Sequence, residues 1–280
     1  MDNAIILGTF DGLHKGHRSV ISAADGFNIT AVTFEIPPKA VLSGGGDLLM
    51  TPKRRFDALC ELGVSQVEVL DFKRVRDTDA VTFLDEICEK FSPRLIACGF
   101  NYRFGKGAAG DTNMLSEYCA AKGIRFRCSD PVAENGTTVS SSMIRDRIRC
   151  GDSSAFGMVY GGFSFAAPVI KGDRRGRTLG FPTVNQKYPD CLVKPKFGVY
   201  AVKVCIDGKV FDGIANIGHR PTYRTDDVFS ETYIKDFSGD LYGKTVTVKP
   251  VKFIREERKF SSAEELQAAI RADVDTLSEN

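Results

Sequence analysis

The hydrophobic period of the chain changes once, near residue 155, and that change limits the folds open to it. Before it, short apolar runs alternate with helical segments. "AIILG", "NITAVTF", "VSQVEVLDF", "RLIACGF" and "IRFRCS" read as strands, the first as a buried parallel strand. Between them come helices: one from about His17 to Ala24, "KRRFDALCEL" with Phe56, Leu59 and Cys60 on one face and Gly63 at its end, "VTFLDEICEKF", and "NMLSEYCAAKG". Such alternation predicts an α/β domain, a parallel Rossmann-like sheet with helices on both faces. After residue 155 the period is two. "FGVYAVKVCIDGKVFDGIANIG" is two alternating runs about Asp207-Gly208, a hairpin signal, and "ETYIKDF" and "KTVTVKPVKFIR" continue it. These strands predict an antiparallel β-barrel. A terminal helix follows, with Ser262 and Glu265 as a capping box and Leu266, Ile270 and Val274 as its apolar row. The expected domains are therefore 1–155 and 156–280.

Composition narrows the class. In 280 residues, 42% are hydrophobic and 26% charged, and the net charge is +2. That balance excludes a chain-wide field for nucleic acid or an anionic membrane surface. No apolar run is long enough to span a membrane, and the N-terminus lacks the pattern of a signal peptide. The eight cysteines are scattered without a C-x-x-C pair. Cys60, Cys88 and Cys119 fall on expected apolar helix positions, so a reduced, cytoplasmic protein using cysteine as a small hydrophobe is the reading. No Cys/His group has zinc-ligand spacing. The oligomeric state is not legible.

Chemistry concentrates in two stretches of the first domain and one of the second. "GTFDGLHKGH" (Gly8 to His17) follows the first strand, where ligands of open α/β sheets bind. Its glycines let the backbone approach a ligand, and the following helix offers N–H groups to phosphate. His14 and His17 add two donors that stabilise charge on a phosphoanhydride under attack. A metal pair or a simple turn are the alternatives on this stretch alone. "VSSSMIRDRI" sets serines at a helix start with Arg145 one turn in, suited to phosphates or merely an N-capped helix with a solvated arginine. In the second domain, "KGDRRGRTLGFPTVN" puts Lys171, Arg174, Arg175 and Arg177 in a glycine-bearing loop. Thr183 and Asn185, two apart on a strand, face one way with hard oxygen donors suited to Mg²⁺, which usually takes phosphate oxygens as well.

These motifs resemble a family. "GTFDGLHKGH" matches the signature of the H-x-G-H nucleotidyltransferases, and "GFNYRFGKGAAGD" and "VSSSMIRDRI" resemble segments of bacterial FAD synthetases. "KGDRRGRTLGFPTVN", with "FGVYAV", "GIANIGHRPTY" and "ETYIKDFSGDLYG", is similar to the riboflavin kinase pattern. Over nearly its whole length the chain resembles the bifunctional riboflavin kinase/FAD synthetases. The resemblance implies that Gly8, Phe10, Asp11, Asn101, Ser141 and Ser142 line an ATP/flavin site in which His14, His17 and Arg145 act on phosphates. It implies that Lys171, Gly172, Arg177, Gly180, Thr183 and Asn185 hold ATP and Mg²⁺, with Glu231 as general base. Riboflavin, FMN, FAD and ATP would be the partners. The chain departs from the family in "TFEIPPK", where Ile36 and Pro37 replace a Pro-His pair, and at Ser142 and Tyr233, where threonine and histidine are usual. Two alternatives stay open at this stage: a riboflavin kinase with an impaired adenylyltransferase domain, and a non-catalytic flavin-binding protein.

Overall fold

A computed structural model describes residues 1–42, 44, 46–172, 180–219 and 227–279. The chain forms two compact units, Met1–Met143 and Ile144–Asn280.

In the first unit, β1 (Asn3–Leu7), β2 (Asn28–Phe34), β3 (Gln66–Leu70), β4 (Leu95–Gly99) and β5 (Arg125–Ser129) form one parallel sheet. Its order is β3-β2-β1-β4-β5. The chain moves outward one way from β1 to β3 and the other way from β4 to β5, so right-handed crossovers cover both faces. The α1 helix (Lys15–Ser22) joins β1 to β2. Between β2 and β3 lie α2 (Pro38–Leu42) and α3 (Pro52–Glu61). Between β3 and β4 lie α4 (Phe72–Val75) and α5 (Ala80–Phe91). The α6 helix (Thr112–Lys122) precedes β5 and ends at Gly123, whose φ of 66° gives the left-handed cap. A short hairpin, β6 (Ala133–Glu134) and β7 (Thr137–Thr138), leads to α7 (Ser141–Cys150). The fully buried Ala4 to Ile6 account for the continuous apolar run of β1.

Three expectations need correction here. First, α1 begins at Lys15, with His14 as its N-cap. Second, the buried face of α3 is Arg55, Ala58 and Leu59, while Phe56 is half-buried and Cys60 exposed. Arg55 goes inside because its Nη2 donates to the carbonyls of Phe34 (2.5 Å) and Glu35 (2.6 Å), where β2 leaves the sheet. Burial lowers its pKa, and Asp11 and Glu35 oppose that shift. Third, cysteine burial is uneven: Cys98 and Cys119 are buried, Cys88 is half-buried, and none of the eight is in a disulfide.

The second unit is a closed antiparallel barrel in the order β10-β11-β12-β9-β8-β13. Its strands are β8 (Phe165–Ile170), β9 (Thr183–Lys187), β10 (Gly198–Ile206), β11 (Lys209–His219), β12 (Val228–Ile234) and β13 (Thr245–Arg255). Asp207 and Gly208, at φ 48° and 80°, make the β10–β11 turn, as the Asp-Gly pair requires. Inside the barrel, the buried Gln186 donates to the carbonyls of Ala167 (2.6 Å) and Val246 (2.8 Å). Residues 153–158 form a 3-10 turn whose Phe156 stacks on Phe163 and meets Tyr200 of β10 edge-on.

The terminal helix α8 (Ala263–Asp275) is capped by Ser262, which accepts from the Glu265 N–H at 3.2 Å. The Glu265 carboxylate bonds Ser261 rather than closing the expected box on Ser262. Its most buried residues are Ala269 and Asp273, with Leu266, Ile270 and Val274 only half-buried. The helix turns that way because Arg255 grips Asp273 with two bonds of 3.0 and 2.7 Å.

Candidate active sites

The loop after β1 leaves the sheet beside β4, at the point where the strand order reverses. Its backbone is unusual: Phe10, Gly12 and Leu13 all have positive φ, at 52°, 84° and 43°. That conformation is held from below. Asp11 is fully buried, and its carboxylate accepts from the Leu49 N–H (3.0 and 3.1 Å) and the Met50 N–H (3.2 Å). Phe10, also buried, packs its ring against Gly8 and meets His17 edge-on at 5.6 Å. Asp11 and Phe10 therefore brace the loop, and the polar groups it presents come from the histidines.

His14 and His17 lie at the N-cap and third position of α1, with rings stacked at 3.8 Å. Gly16 is part of that arrangement, because a Cβ there would stand 3.3 Å from the His14 ring. The His14 side chain does not cap the helix, and the first turn holds no acid. The N-terminal N–H groups of α1 thus keep their positive end for an anion.

One further predicted residue meets this loop. Ser141, at the start of α7, donates to the Asp11 carbonyl at 2.8 Å. Asn101 follows β4, and Gly99 beside it leaves Asn101 and Val20 of α1 as the nearest side chains. Ser140, which accepts from the Met143 N–H at 3.2 Å, caps α7, whereas Ser142 is exposed and accepts from Lys39 at 3.5 Å. Arg145 follows one turn along α7, half-buried.

On the barrel's outer face, strand register assembles a second polar row. Glu231 of β12 lies opposite Asn185 of β9 on one side and opposite Asn216 of β11 on the other. Tyr233 lies opposite Thr183 in the next outward row. Directly opposed side chains stand about 5 Å apart at Cβ, close enough to act on one ligand. Asn185 is buried, and Gly172 closes over it: a Cβ there would meet its amide nitrogen at 2.4 Å. Lys171 and Gly180 are exposed, the latter at φ 82°. Arg177, with the rest of 173–179, lies outside the described residues. A cleft of about 660 Å³ opens beside Thr183, lined also by Val169, Pro182, Phe237, Leu241 and Tyr242. Its size suits a nucleotide or a comparable ligand. Among the described residues no cluster of His, Cys, Asp or Glu is arranged for a metal. The oxygen donors of Thr183 and Asn185 instead fit a cation that takes its remaining ligands from phosphate and water.

Sequence reading passed over Arg55, Asn216 and Glu257. The signal for Asn216 was present in "GIANIG": the Asp207-Gly208 turn sets the hairpin register, and alternation puts Asn216 on the outer face.

Comparison with known proteins agrees with this division. A family model described as FAD synthetase matches residues 1–143, and one described as riboflavin kinase matches residues 161–280. The bifunctional riboflavin kinase/FMN adenylyltransferase of Listeria monocytogenes is 31% identical over 285 residues, covering 98% of this chain and 90% of the relative. That of Bacillus subtilis is 30% identical over 287 residues, covering 97% and 90%. A crystal structure described as a macrolide-efflux protein from Streptococcus pneumoniae superposes with a TM-score of 0.89 at 30% identity, covering 98% of this chain and 93% of that one. Among the described residues here, no helix is long and apolar enough to cross a membrane.

Proposed function

The chain belongs to the bifunctional riboflavin kinase/FMN adenylyltransferase family, and from that premise we propose how its residues carry the two reactions. The protein phosphorylates riboflavin to FMN with ATP, then adenylylates FMN to FAD with release of pyrophosphate. A kinase with an impaired N-terminal domain is not favoured, since the FAD synthetase match runs across residues 1–143.

In the kinase reaction, Glu231 takes the proton of the riboflavin 5′-hydroxyl as its oxygen attacks the γ-phosphorus of ATP. The bond from that phosphorus to the β–γ bridging oxygen breaks, and ADP leaves. Thr183 and Asn185 would hold Mg²⁺, and that ion would supply positive charge to the phosphate oxygens. Lys171, Gly172, Arg177 and Gly180 belong to the segment that covers the nucleotide.

In adenylylation, a phosphate oxygen of FMN attacks the α-phosphorus of ATP and pyrophosphate departs with the bridging oxygen. No side chain need become covalently attached. His14, His17 and the N-terminus of α1 donate to the charge that gathers on the phosphates. Ser141, Ser142, Arg145 and Asn101 orient the nucleotide, while Gly8, Phe10 and Asp11 keep the loop in shape. A reducing compartment, the cytoplasm, suits a chain none of whose eight cysteines is in a disulfide.

One observation carries the reading: two motif sets occur in order on one chain, and the two family models match it in that same order. Separation of riboflavin, FMN and FAD after incubation with ATP and Mg²⁺ tests it. His14→Ala is expected to abolish FAD and spare FMN formation. Glu231→Gln should stop riboflavin phosphorylation while supplied FMN still becomes FAD. Unchanged FAD output from His14→Ala would overturn the assignment of that histidine.

A further inference from the structure

The row that contains Glu231 has an oriented neighbour. Asn216 lies directly opposite Glu231, and its Nδ2 donates to Glu257 Oε1 at 2.9 Å. A carboxylate only accepts hydrogen bonds, so the amide nitrogen faces Glu257 and Oδ1 points away from it. That Oδ1 is buried and has no hydrogen-bond partner among the described residues. A buried acceptor without a donor is costly, and such atoms in native structures commonly await a ligand or water.

Gly218 makes this arrangement possible. It lies two residues beyond Asn216 on the same face of β11, and Glu257 reaches its position by lying across it. A Cβ on Gly218 would stand 2.4 Å from Glu257 Oε1. The three residues come from two separated parts of the barrel unit, the β11 strand and the segment after β13, so the contact is built by the fold and not by local sequence.

We propose that Asn216, oriented by Glu257 across Gly218, is a positioning residue that accepts a hydrogen bond from a second hydroxyl of the acceptor's polyol chain. This rests on the kinase reading of Glu231. The acceptor hydroxyl that loses its proton lies at Glu231, with the metal-side amide of Asn185 on one flank. The opposite flank is Asn216. A polyol that extends along the row from the reacting hydroxyl brings a neighbouring O–H donor to an acceptor already fixed in place. A flat or monohydroxylic acceptor brings none and leaves Oδ1 unpaired, which is how a buried polar group rejects the wrong substrate.

The test uses the full-length enzyme, riboflavin, and riboflavin analogues lacking one ribityl hydroxyl at a time. The wild type is expected to lose about three- to tenfold in kcat/KM on one of these analogues, the worth of one hydrogen bond. Asn216→Ala should show that loss on riboflavin itself, mostly in KM, and lose its discrimination among analogues. Gly218→Ala, which displaces only the flexible end of Glu257, should weaken the same discrimination and keeps the test decisive if Asn216→Ala folds poorly. An Asn216→Ala or Gly218→Ala enzyme that discriminates as the wild type does would overturn the inference and leave the kinase reading standing. An equal loss on every analogue would also overturn it, since a merely structural role predicts that. A wild type that fails to phosphorylate riboflavin would remove the kinase reading, and this inference with it.

Discussion

Gly172 shows how one missing methyl group can leave room for the side chain proposed to bind Mg²⁺. Its backbone does not need a left-handed φ, so alanine is conformationally allowed there; what alanine lacks is space. The added carbon would meet the Asn185 amide at 2.4 Å from Nδ2 and 2.6 Å from Cγ. Asn185 is buried and paired with the β12 strand through Glu231, so the clash turns its amide rather than moving the backbone. Misplacing a group that positions phosphates by about 1 Å costs on the order of 100-fold in rate. Gly172→Ala is therefore expected to slow FMN formation by about 10- to 100-fold. Conversion of supplied FMN to FAD, which uses residues of the other unit, should be unchanged. Parallel assays of the two steps on one preparation check both halves of this outcome.

Helix ends carry a different kind of prediction. The α5 helix starts at Asp79, whose carboxylate accepts from the N–H groups of Val81 (3.1 Å) and Thr82 (3.0 Å) and from the Thr82 hydroxyl. These bonds favour the charged form, the Thr82 hydroxyl bond most, and hold its pKa below the usual aspartate value. A depressed carboxyl pKa stabilises the fold above the unfolded-state value and stops doing so as pH falls through the folded value. Asp79→Ala should thus lower the melting temperature at pH 7, and the gap to the wild type should narrow as pH falls below the ordinary aspartate value of about 3.9. Melting curves across that range decide it; a gap that stayed constant would mean the cap acts without its charge.

The presence of α5 and of the parallel strands was legible because apolar patterning along a segment acts locally. The buried face of α3 was not: nothing near Arg55 in sequence shows that the carbonyls of Phe34 and Glu35 will receive its guanidinium. The face of α8 was misjudged for the same reason, since Arg255 draws Asp273 inward from another element. The β8 strand was passed over because "FAAPVI" alternates buried and exposed residues with small side chains and a proline. Motifs singled out His14, His17, Asn185 and Glu231 as candidates, and strand register shows what stands beside Asn185 and Glu231.

At the scale of the whole molecule, two reactions in sequence share one intermediate, FMN. The residues proposed for the two reactions occupy separate stretches of the chain, 8–145 and 171–231. The product of the barrel is a substrate of the other unit, which is expected to accept it from solution. Two chains, each defective in one step, should therefore complement each other. Mixed His14→Ala and Glu231→Gln proteins are expected to convert riboflavin to FAD, although neither does so alone. Because FMN must leave one chain and find another, FAD should appear after a lag, and dilution of both proteins should lengthen it. The wild type diluted equally gives the comparison: a much shorter lag there would mean that a chain keeps the FMN it makes. Equal lags would mean the two sites communicate only through free FMN, and fusion of the units then brings no kinetic gain to the second step. Absence of FAD from the mixture, with FMN accumulating, would show that adenylylation uses only FMN made on the same chain, and would overturn the assignment of separable sites.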